Sequence, residues 1–153
     1  MEVRLIPVGE LSLDPDNARE HPEHNLSAIT ESLRQFGFQK PIVVTPAGKI
    51  LAGNGAYMAA VKLGMEAVPC SVSDIEDENM QKAFALADNR TQELSQFNEE
   101  ILAKHLRELD EIGFDVESIG FDSPKESKPK KASIPDPDEI TCPNCGHEFT
   151  DEP

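Results

Sequence analysis

Apolar positions along the first 121 residues form two kinds of run, short extended ones and longer ones with helical spacing. The short runs are rich in β-branched residues, which is typical of strands. They read EVRLIPV, KPIVVT, KILAG and AVPCSVS. The turn PAG between the second and third runs predicts a β-hairpin. Together these runs predict a small mixed β-sheet.

Four longer stretches carry apolar residues at helical spacing. The first is predicted to begin at a cap on Asn25 and to stop at Gly37, and the second follows Gly55 and ends at Gly64. The third and fourth are DENMQKAFALADN and NEEILAKHLRELDEIG. In the fourth, His105 shares a face with leucines and isoleucines, which predicts a partly buried ring. The order of elements predicts an α+β fold in which helices pack on the small sheet.

Composition changes abruptly at residue 122. The segment DSPKESKPKKASIPDPDE consists mainly of proline, serine and charged residues, which bury too little apolar surface to offset the entropy of ordering. We therefore predict one domain at residues 1–121, with a helical extension from about residue 93 to 121. A flexible linker at 122–139 and a short tail at 140–153 are expected to follow.

The chain is strongly acidic, with 29 Asp and Glu against 14 Lys and Arg and a formal net charge of −15. The negative electrostatic potential of such a chain repels nucleic-acid backbones and argues against direct DNA binding. No apolar run approaches the roughly 18 residues of a membrane span. Few cysteines, two of them at metal-ligand spacing, favour a reducing compartment. We expect a cytoplasmic protein with no membrane role.

The tail contains a metal-ligand pattern. In CPNCGHEF, Cys142 and Cys145 have the two-residue spacing of a zinc knuckle, and His147 is a candidate third ligand. A closed zinc site needs about four ligands, so a fourth would come from Cys70, another histidine, Asp151 or a second chain. A tail without metal is the alternative, and the sequence leaves both open.

A glycine loop joins the third strand to the second helix in KILAGNGAYMAAVKLG. A strand that ends in Gly-x-Gly and turns into a helix leaves backbone N–H groups unpaired at the positive end of the helix dipole, which favours anions. The loop matches neither the P-loop pattern nor the full dinucleotide fingerprint. A lone Gly-x-Gly between a strand and a helix is more often a simple turn, and the local sequence by itself favours that interpretation.

Four motifs in order carry a family resemblance: DPDNAREH, LRQFGFQKPIVVT, KILAGNGAYMAAVKLGMEAVP and ALADNRTQEL. The chain resembles the ParB/sulfiredoxin superfamily, and within it the ParB-like domains of phage and prophage proteins, often described as nucleases and often associated with DNA methyltransferases. The resemblance implies binding of CTP or ATP through the glycine loop, together with Mg²⁺. It also places the protein in a bacterial or phage-infected host cell.

The resemblance also assigns site residues. It makes Asp88 a Mg²⁺ ligand, and Glu20 the carboxylate that activates a hydroxyl. Asn17 and His21 match the early polar motif. Sulfiredoxin chemistry is excluded, because it needs a cysteine in the glycine loop and Cys70 lies in a predicted strand, where we expect a small core residue. The phosphate-binding set comprises Gly53, Asn54, Gly55, Ala56, Tyr57, Arg19, Lys40, Asn89 and Arg90.

Two classes of function follow. The first is a nucleotide-binding protein in a DNA-related process, with weak Mg-dependent NTP hydrolysis or phosphotransfer. A nuclease is a weaker alternative, because no cutting cluster of carboxylates and lysine is visible. The second is a non-catalytic adaptor or acidic inhibitor, because Asn54, Gly55 and Ala56 stand where many relatives carry cationic or proton-transferring side chains. Either class would have a protein partner, such as a methyltransferase or another phage protein, or a second copy of the chain.

Overall fold

The computed structural model of the protein describes residues 2–123 and two short strands further along the chain. Its contacts divide the chain into two compact units, Met1–Ser123 and Pro124–Pro153. The predicted zinc ligands Cys142, Cys145 and His147 lie outside the described residues, as does most of the predicted linker.

The first unit contains a four-stranded mixed sheet. Its strands are β1 (Val3–Pro7), β2 (Ile42–Val44), β3 (Ile50–Ala52) and β4 (Ala67–Val72). They lie in the order β1-β4-β2-β3, with β2 parallel to β4 and the other two pairs antiparallel. The predicted mixed sheet and the β2–β3 hairpin are therefore confirmed. In the second unit, β5 (Ile140–Thr141) and β6 (Glu148–Phe149) pair antiparallel.

Within residues 2–123, four α-helices accompany the sheet, together with single 3-10 turns at Val8–Glu10 and Glu117–Ile119. The predicted cap at Asn25 is wrong. A cap at Asn25 would start the first helix at Leu26, whereas the helix begins at Glu23, because the extended backbone of Pro22 precedes it. The helices are α1 (Glu23–Phe36), α2 (Asn54–Lys62), α3 (Glu78–Leu94) and α4 (Glu99–Glu111).

The core lies between the sheet and the helices that follow its strands. Ile42, Val44, Ile50 and Val68 are at most 1% exposed, and Leu11 and Ala60 pack with them. Cys70 belongs to this cluster, which confirms the prediction of a small core residue, and burial raises the pKa of its thiol. An uncharged thiol in this position behaves as a hydrophobic side chain.

Helix α4 differs from the prediction. It contains no buried residue, and His105 is exposed rather than partly buried. The segments on either side of α4 are anchored instead: Phe97 meets Phe121 edge to face, and the Phe114 ring stacks on Phe36. Helical periodicity shows that a face is apolar, but it does not show that another element covers that face.

None of the helices in the described part of the chain combines the length and the apolar character that crossing a membrane requires.

Candidate functional site

The glycine loop between β3 and α2 adopts the geometry of an anion site. Gly53 has φ +98°, a left-handed conformation that glycine adopts without steric cost. The first helical hydrogen bond runs from the Tyr57 N–H to the Gly53 carbonyl oxygen over 3.0 Å. The N–H groups of Asn54, Gly55 and Ala56 therefore precede the first intrahelical bond, at the positive end of the α2 dipole.

This helix start opens into a cavity of about 400 Å³, a size typical of small-molecule sites. Side chains from the loop before α1, from α1 itself and from α3 enclose it together with the glycine loop. Its walls comprise Asn17, Arg19, His21, Asn25, Ile29, Lys40, Leu51, Ala52, Gly53, Asn54, Gly55, Ala56, Asp88, Asn89 and Gln92.

The charges lining the cavity differ from those of the whole protein. Arg19 and Lys40 face it with a single carboxylate, Asp88, in a chain whose net charge is −15. The Arg19 guanidinium is held by α3, where it donates to Asn89 Oδ1 over 3.5 Å and pairs with Glu93 over 3.3 Å. The cavity is therefore a local cationic region that an anionic ligand can enter.

Asn54 is the buried polar residue of the loop. It is 8% exposed, and its Oδ1 accepts no hydrogen bond from the residues that the structure describes. Asn54 also lines a smaller adjoining cavity of about 180 Å³, which it shares with Asn17 and Asn89. A buried acceptor without a donor costs free energy, so a ligand or water that donates to Asn54 would stabilise the loop.

Gly55 is constrained by its neighbours and not by its dihedral angles. A Cβ on this residue would lie 2.8 Å from His21 Cε1 and 2.8 Å from Ile29 Cδ1. The His21 ring is held in place by its Nδ1, which lies 2.8 Å from Asn25 Oδ1. The absence of a side chain at position 55 therefore allows an imidazole to pack against the loop.

The structure brings together most of the predicted site residues but leaves three outside the cavity. Tyr57 packs against the core, and its hydroxyl donates to the Leu11 carbonyl oxygen over 3.5 Å. Glu20 and Arg90 are exposed and line a separate surface depression beside Arg19. The residues found in the cavity are Arg19, Lys40, Gly53, Asn54, Gly55, Ala56, Asp88 and Asn89.

Sequence reasoning did not assign Asn25, Ile29 or Gln92 to the site. Asn25, which the sequence predicts as a helix cap, lies on the first turn of α1 and contacts His21. Gln92 lies one turn after Asp88 and donates to its Oδ2 over 3.1 Å. The spacing of Asp88 and Gln92 on one helix face was the available signal.

The described residues contain no group of three His, Cys, Asp or Glu side chains that could hold a metal ion. Asp88 supplies one carboxylate, and Asn89 Oδ1 already accepts from Arg19. Mg²⁺ in nucleotide sites is usually held by one or two carboxylates plus the phosphates of the ligand. The donor set fits an ion that arrives with a phosphorylated ligand.

Comparisons with known proteins identify the family and the fold. The ParB N-terminal domain profile matches residues 1–90. The chain is 40% identical over 77 residues to the ParB-like nuclease domain-containing protein YnaK of Escherichia coli, covering 50% of this chain and 88% of that protein. It is 28% identical over 121 residues to the chromosome-partitioning protein Spo0J of Thermus thermophilus, covering 76% of this chain and 44% of Spo0J.

A solved structure shares the fold. It is the C-terminally truncated chromosome-partitioning protein ParB from Caulobacter crescentus complexed with CTP-γ-S. The match has a TM-score of 0.65 and 26% identity, and covers 78% of this chain and 69% of that one. This chain therefore has a fold related to that of a CTP-binding partitioning protein. It belongs to the ParB N-terminal domain family.

Proposed function

We propose that the protein binds a nucleoside triphosphate, CTP or ATP, with its phosphates against the N-terminus of α2. The observation that carries this proposal is the coincidence of that helix start with a cavity of about 400 Å³ lined by Arg19 and Lys40 in an acidic chain. The complex of the Caulobacter relative with CTP-γ-S supports the choice of ligand.

Each cavity group has a role in this proposal. The N–H groups of Asn54, Gly55 and Ala56 donate to phosphoryl oxygens, as at other helix N-termini. Arg19 and Lys40 offset the phosphate charge, and Asp88 holds a Mg²⁺ ion that the phosphates also bind. Asn89 orients Arg19 through its side-chain oxygen.

Hydrolysis is proposed to be slow. Glu20, the candidate carboxylate for activating a hydroxyl, is exposed and lies in the depression beside the cavity, together with Arg90. A general base acts within hydrogen-bond reach of the proton it removes. We propose that nucleotide binding, more than turnover, serves a DNA-related process of phage or prophage origin.

The test is calorimetric titration of the full chain with Mg-CTP and Mg-ATP. Lys40→Ala is expected to weaken binding by about tenfold or more, because it removes a charge-assisted contact. Lys104→Ala is the matched control, since Lys104 lies on α4 and pairs with Glu108 over 3.6 Å. Folded wild-type protein that binds neither nucleotide would overturn the proposal, as would equal effects of the two lysine variants.

A second candidate function is a non-catalytic adaptor or acidic inhibitor. The favouring observation is a set of exposed apolar side chains between the end of α3 and the end of α4, which we call the arm surface. Exposed apolar surface of this kind marks protein interaction sites. The arm surface comprises Leu94, Phe97, Ile101 and Ile112, each more than half exposed.

An adaptor would bind no nucleotide but would associate through the arm surface. Sedimentation of the chain alone tests pairing with a second copy, and mixing with a purified DNA methyltransferase tests the other predicted partner. Ile101→Asp is expected to abolish either association, and Lys40→Ala to leave it intact. Association that survives Ile101→Asp would exclude the arm surface as the site of interaction.

The tail adds a separate proposal, a zinc site at Cys142, Cys145 and His147. Metal analysis of purified protein is expected to find zinc in the wild type and to lose it in Cys142→Ser. Equal zinc content in the two proteins would contradict the site.

A further inference from the structure

The glycine loop and the first turn of α1 fit together through one imidazole ring. A Cβ at residue 55 would lie 2.8 Å from His21 Cε1 and 3.0 Å from His21 Nδ1. Contacts below 3.0 Å are not sustained by real side chains, so the ring and the glycine occupy adjoining space that a larger residue would disturb. His21 lines the cavity from this position.

A hydrogen bond to α1 holds the His21 ring, and Nε2 is bonded to Cε1, one of the ring atoms nearest the Gly55 Cβ position. Nδ1 pairs with Asn25 Oδ1 at 2.8 Å, which fixes the plane of the imidazole. Nε2 has no hydrogen-bond partner among the residues that the structure describes. Half-buried His21 therefore has one nitrogen in use and one available within the cavity wall.

We propose that His21 is a further ligand-binding residue, whose Nε2 contacts a phosphoryl oxygen of the nucleotide beside the N–H groups of the glycine loop. The inference rests on the proposed nucleotide function and deepens it. The lack of a side chain at Gly55 then contributes to ligand binding, because it leaves room for the imidazole of His21 beside the glycine loop.

The chemistry requires an Nε2–H donor, because a phosphoryl oxygen only accepts. An imidazolium carries this donor, and so does the neutral ring protonated at Nε2. Asn25 can pair with Nδ1 in both forms, since its amide offers a carbonyl oxygen or an NH₂ group. The other charged groups lining the cavity are Arg19, Lys40 and Asp88, so the phosphates would contact both cations and the ring.

Two substitutions separate ligand contact from a structural hydrogen bond. In His21→Gln the amide nitrogen can reach the place of Nε2, and in His21→Asn the polar group reaches only the place of Nδ1. We expect His21→Asn to weaken Mg-CTP binding by about tenfold or more, and His21→Gln to stay within about threefold of wild type. The opposite order, or wild-type affinity in His21→Asn, would overturn the assignment.

Inorganic pyrophosphate identifies the part of the ligand that is contacted. If Nε2 binds a phosphoryl oxygen, His21→Asn weakens pyrophosphate and Mg-CTP by similar factors. An effect on Mg-CTP with none on pyrophosphate would move the contact to the nucleoside and contradict the proposal.

A second set of variants tests the role of Gly55. Gly55→Ala is expected to lower both the melting temperature and the affinity, because its Cβ meets the His21 ring and the Ile29 side chain. Adding His21→Ala removes the ring, and the flexible end of Ile29 can rotate away. The double variant is expected to regain thermal stability without regaining affinity. Recovery of affinity together with stability would show that the ring is only a packing element.

The outcomes also separate this inference from the function on which it rests. If wild type binds neither Mg-CTP nor Mg-ATP, the nucleotide function and the His21 contact both fail. If wild type binds and His21→Asn binds equally well, only the His21 contact fails.

Discussion

The sheet with α2 and the helix α4 both carry apolar side chains, but they differ in what covers those side chains. In the sheet, Ile42, Val44 and Ile50 are at most 1% exposed and pack as one cluster. In α4 no residue is buried, and Ile101 remains 53% exposed. Burial of apolar area contributes about 25 cal/mol per Å². Helix α4 gains less from that source than the sheet, because its leucines are only half-buried.

This difference separates the region that gives the protein its rigidity from the region available for interaction. The glycine loop is attached to the buried region, so its N–H groups are held by packing around Gly53 and Asn54. Helix α4 depends on local features, including the Asn98 side chain that accepts from the Ile101 N–H over 3.1 Å. The first region suits a preformed binding site, and the second suits a surface completed by a partner.

Truncating one isoleucine in each region should give the largest difference in lost unfolding free energy. Ile50→Ala is expected to cost about 2–5 kcal/mol of unfolding free energy, because it leaves a cavity in the core. Ile112→Ala, at a residue that is 77% exposed, should cost less than about 0.5 kcal/mol. Urea denaturation followed by circular dichroism measures both, and equal losses would mean that α4 is buried in solution.

The loop glycine should show the next largest effect. Gly53→Ala is expected to cost about 2 kcal/mol, from the left-handed backbone and from a Cβ that would lie 3.3 Å from Ile42 Cγ1. Gly64→Ala has a similar φ of +69° but nothing within 4 Å, so it should cost about 1 kcal/mol. Thermal melts compare the two, and a larger loss at Gly64 would contradict the tight packing of the loop.

Removing the helix caps probes cooperativity. Asp77 caps α3 by accepting from the Met80 N–H over 2.9 Å, and Asn98 caps α4. Each substitution to alanine should cost about 1 kcal/mol of helix stability. Asp77→Ala should lower the global urea midpoint, because α3 carries the buried Gln81. Asn98→Ala should mainly speed hydrogen exchange of α4 amides. If Asn98→Ala lowered the global urea midpoint as much as Asp77→Ala does, the contrast between the sheet region and α4 would be refuted.

The smallest effect is expected at an ion pair between α1 and α2. Lys62 donates to Glu23 Oε1 over 2.6 Å, and this contact lowers the pKa of Glu23 from its ordinary value. The contribution of a lowered carboxyl pKa is complete above the unfolded-state value and disappears as pH falls through the folded one. Melting temperatures of wild type and Lys62→Gln should therefore converge as pH falls below about 4. If the melting temperatures of wild type and Lys62→Gln still differed in acid, the ion pair could not be the cause of the difference.

The amino-acid sequence by itself determined the local elements of the protein and its family. Alternating β-branched runs specified the strands, because side chains on a strand alternate between its two faces. The Gly-Asn-Gly loop indicated a helix N-terminus beside a strand, since glycine permits the backbone conformation that this turn needs.

Only the tertiary structure decided which side chains meet. Contacts between distant segments place His21 against Gly55 and hold Arg19 to Asn89, and no periodicity in either segment encodes those pairings. The exposure of α4 was decided in the same way, because an apolar helix face is buried only where another surface covers it. Local preference acts within a few residues, whereas burial depends on the packing of the whole chain.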